Sequence, residues 1–205
     1  KIKTDAILLE TKTDLVNHRF KKGKTIFGLL NKEELIREAY EPSLKEMLDF
    51  ALVNSNSMLE QGCKGFFIMS EGSQIDWEGH DNDFYGQYDE IEEFENAITS
   101  ALAFAKNRED TIVLVTADHE TGGLLIEKDT LRYKETNQMK VSWNTAIGKG
   151  DHTGAMVPIT GIESLGCIGF NEELYTFHLL RVSDSFHTNG IFTVHDWHSR
   201  FTHVA

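Results

Sequence analysis

A short apolar run followed directly by three metal-ligand side chains constrains this chain more than any other feature of its sequence. Residues 66–69 read Phe-Phe-Ile-Met, which is the kind of run that forms a buried strand. Glu71, Asp76 and His80 follow closely. Because Asp76 and His80 are four residues apart, one helical turn or a tight loop would direct both side chains to one point.

The same order of features occurs a second time. Residues 111–116 have the strongest strand character in the chain, and Asp118, His119 and Glu120 come just after them. The uniformly apolar run fits a central parallel strand that is covered on both faces. Since ligands bind at the carboxyl ends of strands in open α/β sheets, we expect both clusters at one sheet edge.

Helices alternate with strands along the chain, which predicts the α/β class with a doubly wound, mostly parallel sheet and helices on both faces. Apolar residues follow the helical period over residues 42–61 and again over 91–106, with an acidic loop at 78–89 between them. We expect the further strands at residues 4–10, 25–30, 124–127 and 155–159.

The length of 205 residues favours one domain, here divided into two regions. Residues 1–160 are predicted to form a metal-binding α/β region, and residues 161–205 a divergent carboxyl-terminal segment in which the pattern loosens. The two cysteines, Cys63 and Cys167, are expected to be buried thiols, although the sequence leaves one bridge between them open.

The charge of the chain excludes two classes of partner. With 20 basic and 33 acidic residues, the formal net charge is −13. The negative electrostatic field of such a chain disfavours binding to nucleic acid and to anionic membranes. No apolar run has the length of a membrane span. A phosphate ester would be repelled by the protein as a whole but attracted by bound dications, which control the local field.

The clusters together provide ligands for divalent ions. Asp76, His80 and His152 supply one carboxylate oxygen and two imidazole nitrogens, a set that suits zinc and leaves one position open. Asp118 and His119 would supply half of a second site. Taken singly, each cluster is a weak signal, because an Asp-x-x-x-His in an acidic loop is more often a solvated face than a ligand pair and a lone histidine such as His152 is more often a hydrogen-bonding loop residue.

Glu71 offers an oxygen ligand for a harder ion such as magnesium. Two divalent ions roughly 4 Å apart bind both oxygens of an in-line displacement at phosphorus. The residues therefore predict metal-dependent phosphoryl hydrolysis.

Three blocks carry these side chains in an order that identifies a family. They are Ser-Glu-Gly-Ser-Gln-Ile-Asp-Trp-Glu-Gly-His at 70–80, Val-Thr-Ala-Asp-His-Glu-Thr-Gly-Gly at 115–123 and His-Thr-Gly at 152–154. They closely resemble the alkaline phosphatases, as do Gly-Leu-Leu at 28–30 and Glu-Pro-Ser-Leu at 41–44, so the resemblance covers about residues 25–160.

The resemblance implies a zinc- and magnesium-dependent phosphomonoesterase that acts on small phosphate monoesters. It implies one zinc on Asp76, His80 and His152, a second on Asp118 and His119, and magnesium on Glu71. Trp77 occupies a position that varies in the family and tunes the magnesium side. Family members are usually exported and often dimeric, which implies a periplasmic or secreted protein and a homodimer.

The family's nucleophilic serine lies in an Asp-Ser-Ala-type block that opens a helix. Ser43, Ser55 and Ser57 lack that context, and the aspartate that bridges zinc and magnesium is also missing. The chain therefore resembles the carboxyl-terminal half of an alkaline phosphatase. Without the serine the covalent route is closed, so we expect the chain alone to bind zinc and hydrolyse phosphate esters poorly or not at all.

Two other functions remain open at this point. One is a related hydrolase of the same superfamily, such as a phosphodiesterase, sulfatase or phosphoglycerate mutase, since these share the Asp-x-x-x-His and Asp-His patterns. The other is a non-catalytic zinc-binding domain, which the missing nucleophile favours for this chain.

Overall fold

The computed structural model describes residues 6–36, 38–126, 140–146, 150–163 and 177–178. Within these ranges the helices are α1 (Lys12–Asn17), α2 (Leu44–Glu60), α3 (Gln74–Asp81) and α4 (Phe84–Ala105). The strands are β1 (Ala6–Leu9), β2 (Thr25–Gly28), β3 (Ile112–Thr116), β4 (Glu120–Thr121), β5 (Leu124–Ile126), β6 (Val141–Trp143), β7 (His152–Thr153), β8 (Pro158–Glu163) and β9 (Phe177–His178).

The strands form small sheets, and only one of the described pairs is parallel. β1 pairs with β2 in parallel, with Leu8 opposite Phe27. The pairs β3–β8, β8–β9, β4–β7 and β5–β6 are all antiparallel. The expected mostly parallel, doubly wound sheet is therefore not what these residues display. The α/β class is observed, but strand direction depends on distant partners that local patterns do not specify.

The apolar run at 66–69 is not a regular strand, because only Phe67 makes an isolated bridge. β3 differs from its prediction as well. It was expected to be covered on both faces, yet Ile112 and Leu114 are 43% and 67% exposed. Composition indicated strand character correctly for β3 but did not indicate what would cover it.

The helix predicted at 42–61 is confirmed as α2. Ser43 begins it with a capping box, in which its side chain accepts from the Glu46 amide while the Glu46 carboxylate accepts from the Ser43 amide. Leu48 and Leu52 are buried together with Ala97 of α4, which joins the two long helices in one apolar cluster. A second cluster joins α2 to β1 and α1 through Leu9, Leu15 and Met47.

The acidic segment 78–89 is helical rather than a loop. α3 ends at Asn82, whose left-handed backbone (φ 56°) closes the helix. Asp83 then begins α4 by accepting from the amides of Tyr85 and Gly86. Asn82 thus ends one helix and Asp83 begins the next. The sequence analysis did not recognise this boundary, because the many acidic residues around it indicated a loop.

The boundary proposed near residue 160 stays a prediction, since the chain after Glu163 is outside the described residues apart from β9. Cys63 is a free, half-buried thiol, while Cys167 lies outside the described ranges. No helix in the described part of the chain is both long and apolar enough to cross a bilayer.

Candidate metal centre

Helix α3 supplies the first two candidate ligands. Asp76 and His80 lie one turn apart on it, and His80 Nε2 is 3.5 Å from Asp76 Oδ2. The four-residue spacing read from the sequence therefore takes the form of a helix, with both side chains on one face.

A short antiparallel ladder brings two more imidazoles to that helix. Thr121 of β4 lies opposite His152 of β7, and His119 directly precedes β4. The rings of His119 and His152 stack with centroids 3.5 Å apart at 24°. His152 Nε2 is 3.5 Å from Asp76 Oδ1.

The result is a compact cluster of three half-buried side chains. Asp76, His119 and His152 each offer one ligand atom, and these atoms lie within 4.8 Å of one another. His152 Nε2 is buried and has no hydrogen-bond partner. An unpaired buried polar atom costs about 1–3 kcal/mol, and a bound cation would satisfy this one. One oxygen and two nitrogen donors are chemistry that suits zinc.

Hydrogen bonds orient the imidazoles of His80 and His119. His80 Nδ1 lies 2.7 Å from the Gly150 carbonyl oxygen, which can only accept, so Nδ1 carries a proton and Nε2 is the nitrogen left to bind a metal in the neutral ring. Thr121 Oγ1 donates to Asp76 Oδ1 and lies 3.1 Å from His119 Nδ1. With its proton committed to Asp76, the hydroxyl accepts from His119 Nδ1–H. Partners of this kind fix the tautomers of metal-binding histidines.

The other two predicted ligands, Asp118 and Glu71, are not members of this three-residue cluster. Asp118 is 3.4 Å from His119 Nε2, with its side chain 85% exposed. Glu71 lines a cleft of 340 Å³ together with Leu30, Met69 and Trp77. His119 therefore lies close to Asp76 and His152 as well as to Asp118, a proximity to the first cluster that the sequence did not indicate.

The three serines considered as nucleophiles are all in or next to α2. Ser43 caps its start, Ser55 is fully buried, and Ser57 donates to the Val53 carbonyl. These are structural environments for a helical serine, which agrees with their lack of the expected sequence context.

Several supporting residues were missed by the sequence reasoning. Gly150 and Thr121 orient the imidazoles, and Glu120 accepts a hydrogen bond from Thr153 Oγ1. The sequence offered one indication of their role, since Thr121 and Thr153 each lie within two residues of a candidate histidine. Nothing in their residue type indicated the pairing of β4 with β7.

Comparison with known proteins gives a consistent result. The family model described as alkaline phosphatase matches residues 3–164. Alkaline phosphatase 4 of Bacillus subtilis (strain 168) is 49% identical over 92 residues, covering 45% of this chain and 19% of that protein. Alkaline phosphatase of Escherichia coli (strain K12) is 29% identical over 153 residues, covering 69% and 32% respectively.

Solved structures agree with the sequence relatives. The alkaline phosphatase from the Antarctic bacterium TAB5 superposes with a TM-score of 0.54 and 29% identity, covering 78% of this chain and 45% of that one. A mutant of the TAB5 enzyme, described with Mg bound in its M3 site, superposes equally well. The matched regions span about a fifth to a third of the curated relatives' length and less than half of the solved chains.

Proposed function

The chain belongs to the alkaline phosphatase family, and from this premise we propose that it forms the metal-binding part of a phosphate monoester hydrolase. The observation that carries the proposal is the convergence of Asp76, His119 and His152, whose ligand atoms lie within 4.8 Å of one another around an unpartnered buried nitrogen.

The proposed ligand assignment has three parts. Asp76, His80 and His152 hold one zinc ion, with His80 Nε2 3.5 Å from Asp76 Oδ2. Asp118 and His119 contribute to a second zinc ion, supported by the 3.4 Å approach of their side chains. In the third part of the assignment, the Glu71 carboxylate contributes an oxygen to magnesium.

Bound dications would supply the positive charge that stabilises a phosphoryl group during displacement. The residues of the chain prepare the ligands for that role. Gly150 holds the His80 ring by its Nδ1 proton, and Thr121 holds both the His119 ring and the Asp76 carboxylate. These contacts keep the nitrogen lone pairs and the carboxylate directed inward, so little reorganisation is needed when metal or substrate binds.

The proposed substrates are small phosphate monoesters, whose charge suits a dication site on a protein of net charge −13. We further propose that the protein acts in the periplasm or outside the cell and that it forms a homodimer, as the family resemblance implies. The nucleophilic serine is proposed to lie outside this chain, because Ser43, Ser55 and Ser57 are all committed to α2.

The test compares hydrolysis of a phosphate monoester, a phosphate diester and a sulfate ester, using this chain and the full-length protein of its gene. We expect the full-length protein to prefer the monoester, and Asp76→Asn in it to reduce the rate by at least about 100-fold. The isolated chain is expected to hydrolyse none of them appreciably. Preference for the diester or the sulfate would replace the proposed substrate class. Full turnover by the isolated chain would refute the placement of the nucleophile.

A further inference from the structure

We propose that Glu120 is a positioning residue: with Thr153 it clamps β4 to β7 and so sets the spacing between His119 and His152. This inference rests on the proposed metal centre. It assigns a role to two side chains that are not themselves ligands but that lie next to two of the candidate ligands in sequence.

Both oxygens of Glu120 are already occupied within the protein. Oε2 accepts from Thr153 Oγ1, and Oε1 accepts from the Gly123 amide at 2.6 Å. Glu120 directly follows His119 in the sequence but is not a member of the cluster of candidate ligand atoms, and its two oxygens hold donors from the neighbouring strand and turn. Its function is therefore to hold the surrounding backbone.

The backbone ladder at this point is too short to be rigid on its own. β4 and β7 have two residues each, with Glu120 opposite Thr153 and Thr121 opposite His152. A small isolated ladder is marginally stable in water. The hydrogen bond between the Glu120 and Thr153 side chains ties the two strands together one position from each imidazole.

The clamp also reaches helix α3 through the turn that follows β4. Gly122 and Gly123 have positive φ angles of 83° and 65°. A Cβ on Gly122 would lie 2.5 Å from the Gly79 carbonyl oxygen, and one on Gly123 would lie 3.1 Å from the Thr153 side chain. The turn is therefore pressed against both α3 and β7. Because Asp76 is on α3, Glu120 connects the elements that carry all three ligands of the cluster.

Loosening the clamp should lower metal affinity more than it lowers overall stability. The stacked rings of His119 and His152, with centroids 3.5 Å apart, are carried by the two segments that the clamp joins, so their separation depends on how these segments are held together. Loss of a partner that orients metal ligands typically costs about 10–100-fold in metal affinity.

The test measures binding of cobalt(II), as a coloured probe for the zinc position, to the apo-protein and its variants by visible absorption. We expect Thr153→Val, which removes only the hydroxyl, and Glu120→Ala each to weaken binding by about 10–100-fold and to change the absorption bands. The double variant should be no weaker than the worse single variant, because the two residues act as one unit.

Two conservative variants serve as rescue. Thr153→Ser keeps the hydroxyl, and Glu120→Gln keeps an acceptor for the Gly123 amide while its NH₂ group can donate to Thr153. Both should retain most of the affinity and the wild-type spectrum. Ser43→Ala is the matched control, since it removes a hydroxyl that accepts from the Glu46 amide at the start of α2, an element that carries none of the candidate ligands. It should lower Tm without changing cobalt affinity.

The outcomes are distinguishable. Wild-type affinity and spectrum in both Thr153→Val and Glu120→Ala would overturn the positioning role while leaving the metal centre intact. If the two variants bind cobalt more weakly with an unchanged spectrum, and Ser43→Ala loses an equal share of cobalt affinity, the effect is general destabilisation. That result would also overturn the positioning role. A wild-type protein that binds no cobalt would overturn the proposed metal centre, and this inference with it.

Discussion

At the scale of single residues, the candidate centre depends on close backbone contacts that leave no room for an added side-chain atom. Gly122 is the clearest case, because its φ of 83° lies in the left-handed region and its missing side chain leaves room for α3. A Cβ at this position would lie 2.5 Å from the Gly79 carbonyl oxygen and 2.6 Å from the Trp143 ring. Backbone conformation and space both require glycine here.

We therefore predict that Gly122→Ala lowers the free energy of unfolding by about 2 kcal/mol or more, through strain and overpacking together. In a chain of this size the loss corresponds to a fall in Tm of about 4–8 °C. Gly154→Ala is the matched control, because a Cβ there meets nothing within 4 Å and no positive φ is involved. Thermal unfolding of both variants checks the prediction, and equal melting temperatures would contradict it.

Thr121 gives a second prediction at this scale. Its hydroxyl donates to Asp76 and accepts from His119, so Thr121→Val removes both contacts while preserving side-chain shape. We expect zinc affinity to fall by about 10–100-fold, measured by competition with a chelating dye. Thr121→Ser keeps the hydroxyl and should bind nearly as the wild type does. Equal loss in the two variants would show that the methyl group, and not the hydroxyl, is what matters.

At the scale of elements, α2 shows how local sequence determines a helix and its pH dependence. Burial alone would raise the pKa of Glu46. Hydrogen bonds from Lys12 and from the Ser43 amide and hydroxyl outweigh it, and the net pKa lies below its ordinary value of 4.5. A carboxyl group whose pKa is lowered by folding stabilises the native state above its unfolded pKa. That contribution is lost as the pH falls through the folded pKa.

Glu46→Gln should accordingly lower Tm at neutral pH by roughly 1–4 °C, because glutamine keeps the capping-box acceptor but loses the ion pair with Lys12 at 2.8 Å. The difference from wild type should shrink as the pH is lowered below about 4.5, since the wild-type carboxylate is then protonated as well. Melting curves from neutral pH to about pH 3 test this. A difference that stays constant across the range would show that the Glu46 charge contributes nothing.

The elements also show which parts of the fold were predictable. Residues 42–61 were recognised as a helix from the apolar period, with Pro42 suiting the first turn and Gly62 the end, and all of these are local signals. The segment 78–89 was misread as a loop because its acidic residues hid the Asn82–Asp83 boundary between α3 and α4. Strand direction was wrong for β3, which pairs antiparallel with β8, since pairing depends on residues far away in sequence.

Part of the geometry of the candidate site was predictable from the sequence, while the role of its residues as metal ligands stays a prediction. Asp76 and His80 were placed together correctly from a four-residue spacing on one element. The approach of His119 to His152 was not foreseen, because it depends on the β4–β7 ladder, which joins residues more than thirty positions apart. Glu120 and Thr153 were missed as a pair for the same reason.

At the scale of the whole molecule, the described elements bury one side of their strands and expose large apolar groups on the other. Leu114 is 67% exposed and Phe67 is 62% exposed, while Val113 and Ile68 beside them are half-buried. Single exposed apolar groups are ordinary on a protein surface, whereas contiguous apolar patches mark contact surfaces or grooves. The chain is similar to less than half of each solved relative, so we expect this apolar surface to be accessible in the isolated chain.

We predict that the isolated chain binds the apolar dye ANS strongly in its native state, and that Phe67→Thr combined with Leu114→Thr lowers the dye fluorescence with little change in Tm. Leu48→Ala is the contrasting variant, because Leu48 is only 5% exposed. Its truncation should lower the free energy of unfolding by about 2–5 kcal/mol and so lower Tm clearly. Native dye fluorescence that the double variant does not change would show that these two side chains are covered in solution.

The central claim is that this chain has a preformed metal site, and calorimetric titration of the metal-free protein with zinc tests it most directly. The account predicts one tight equivalent for the wild type that is lost in His152→Ala, since His152 Nε2 is the buried nitrogen without a partner. No tight binding by the wild type, or equal tight binding by His152→Ala, would contradict it.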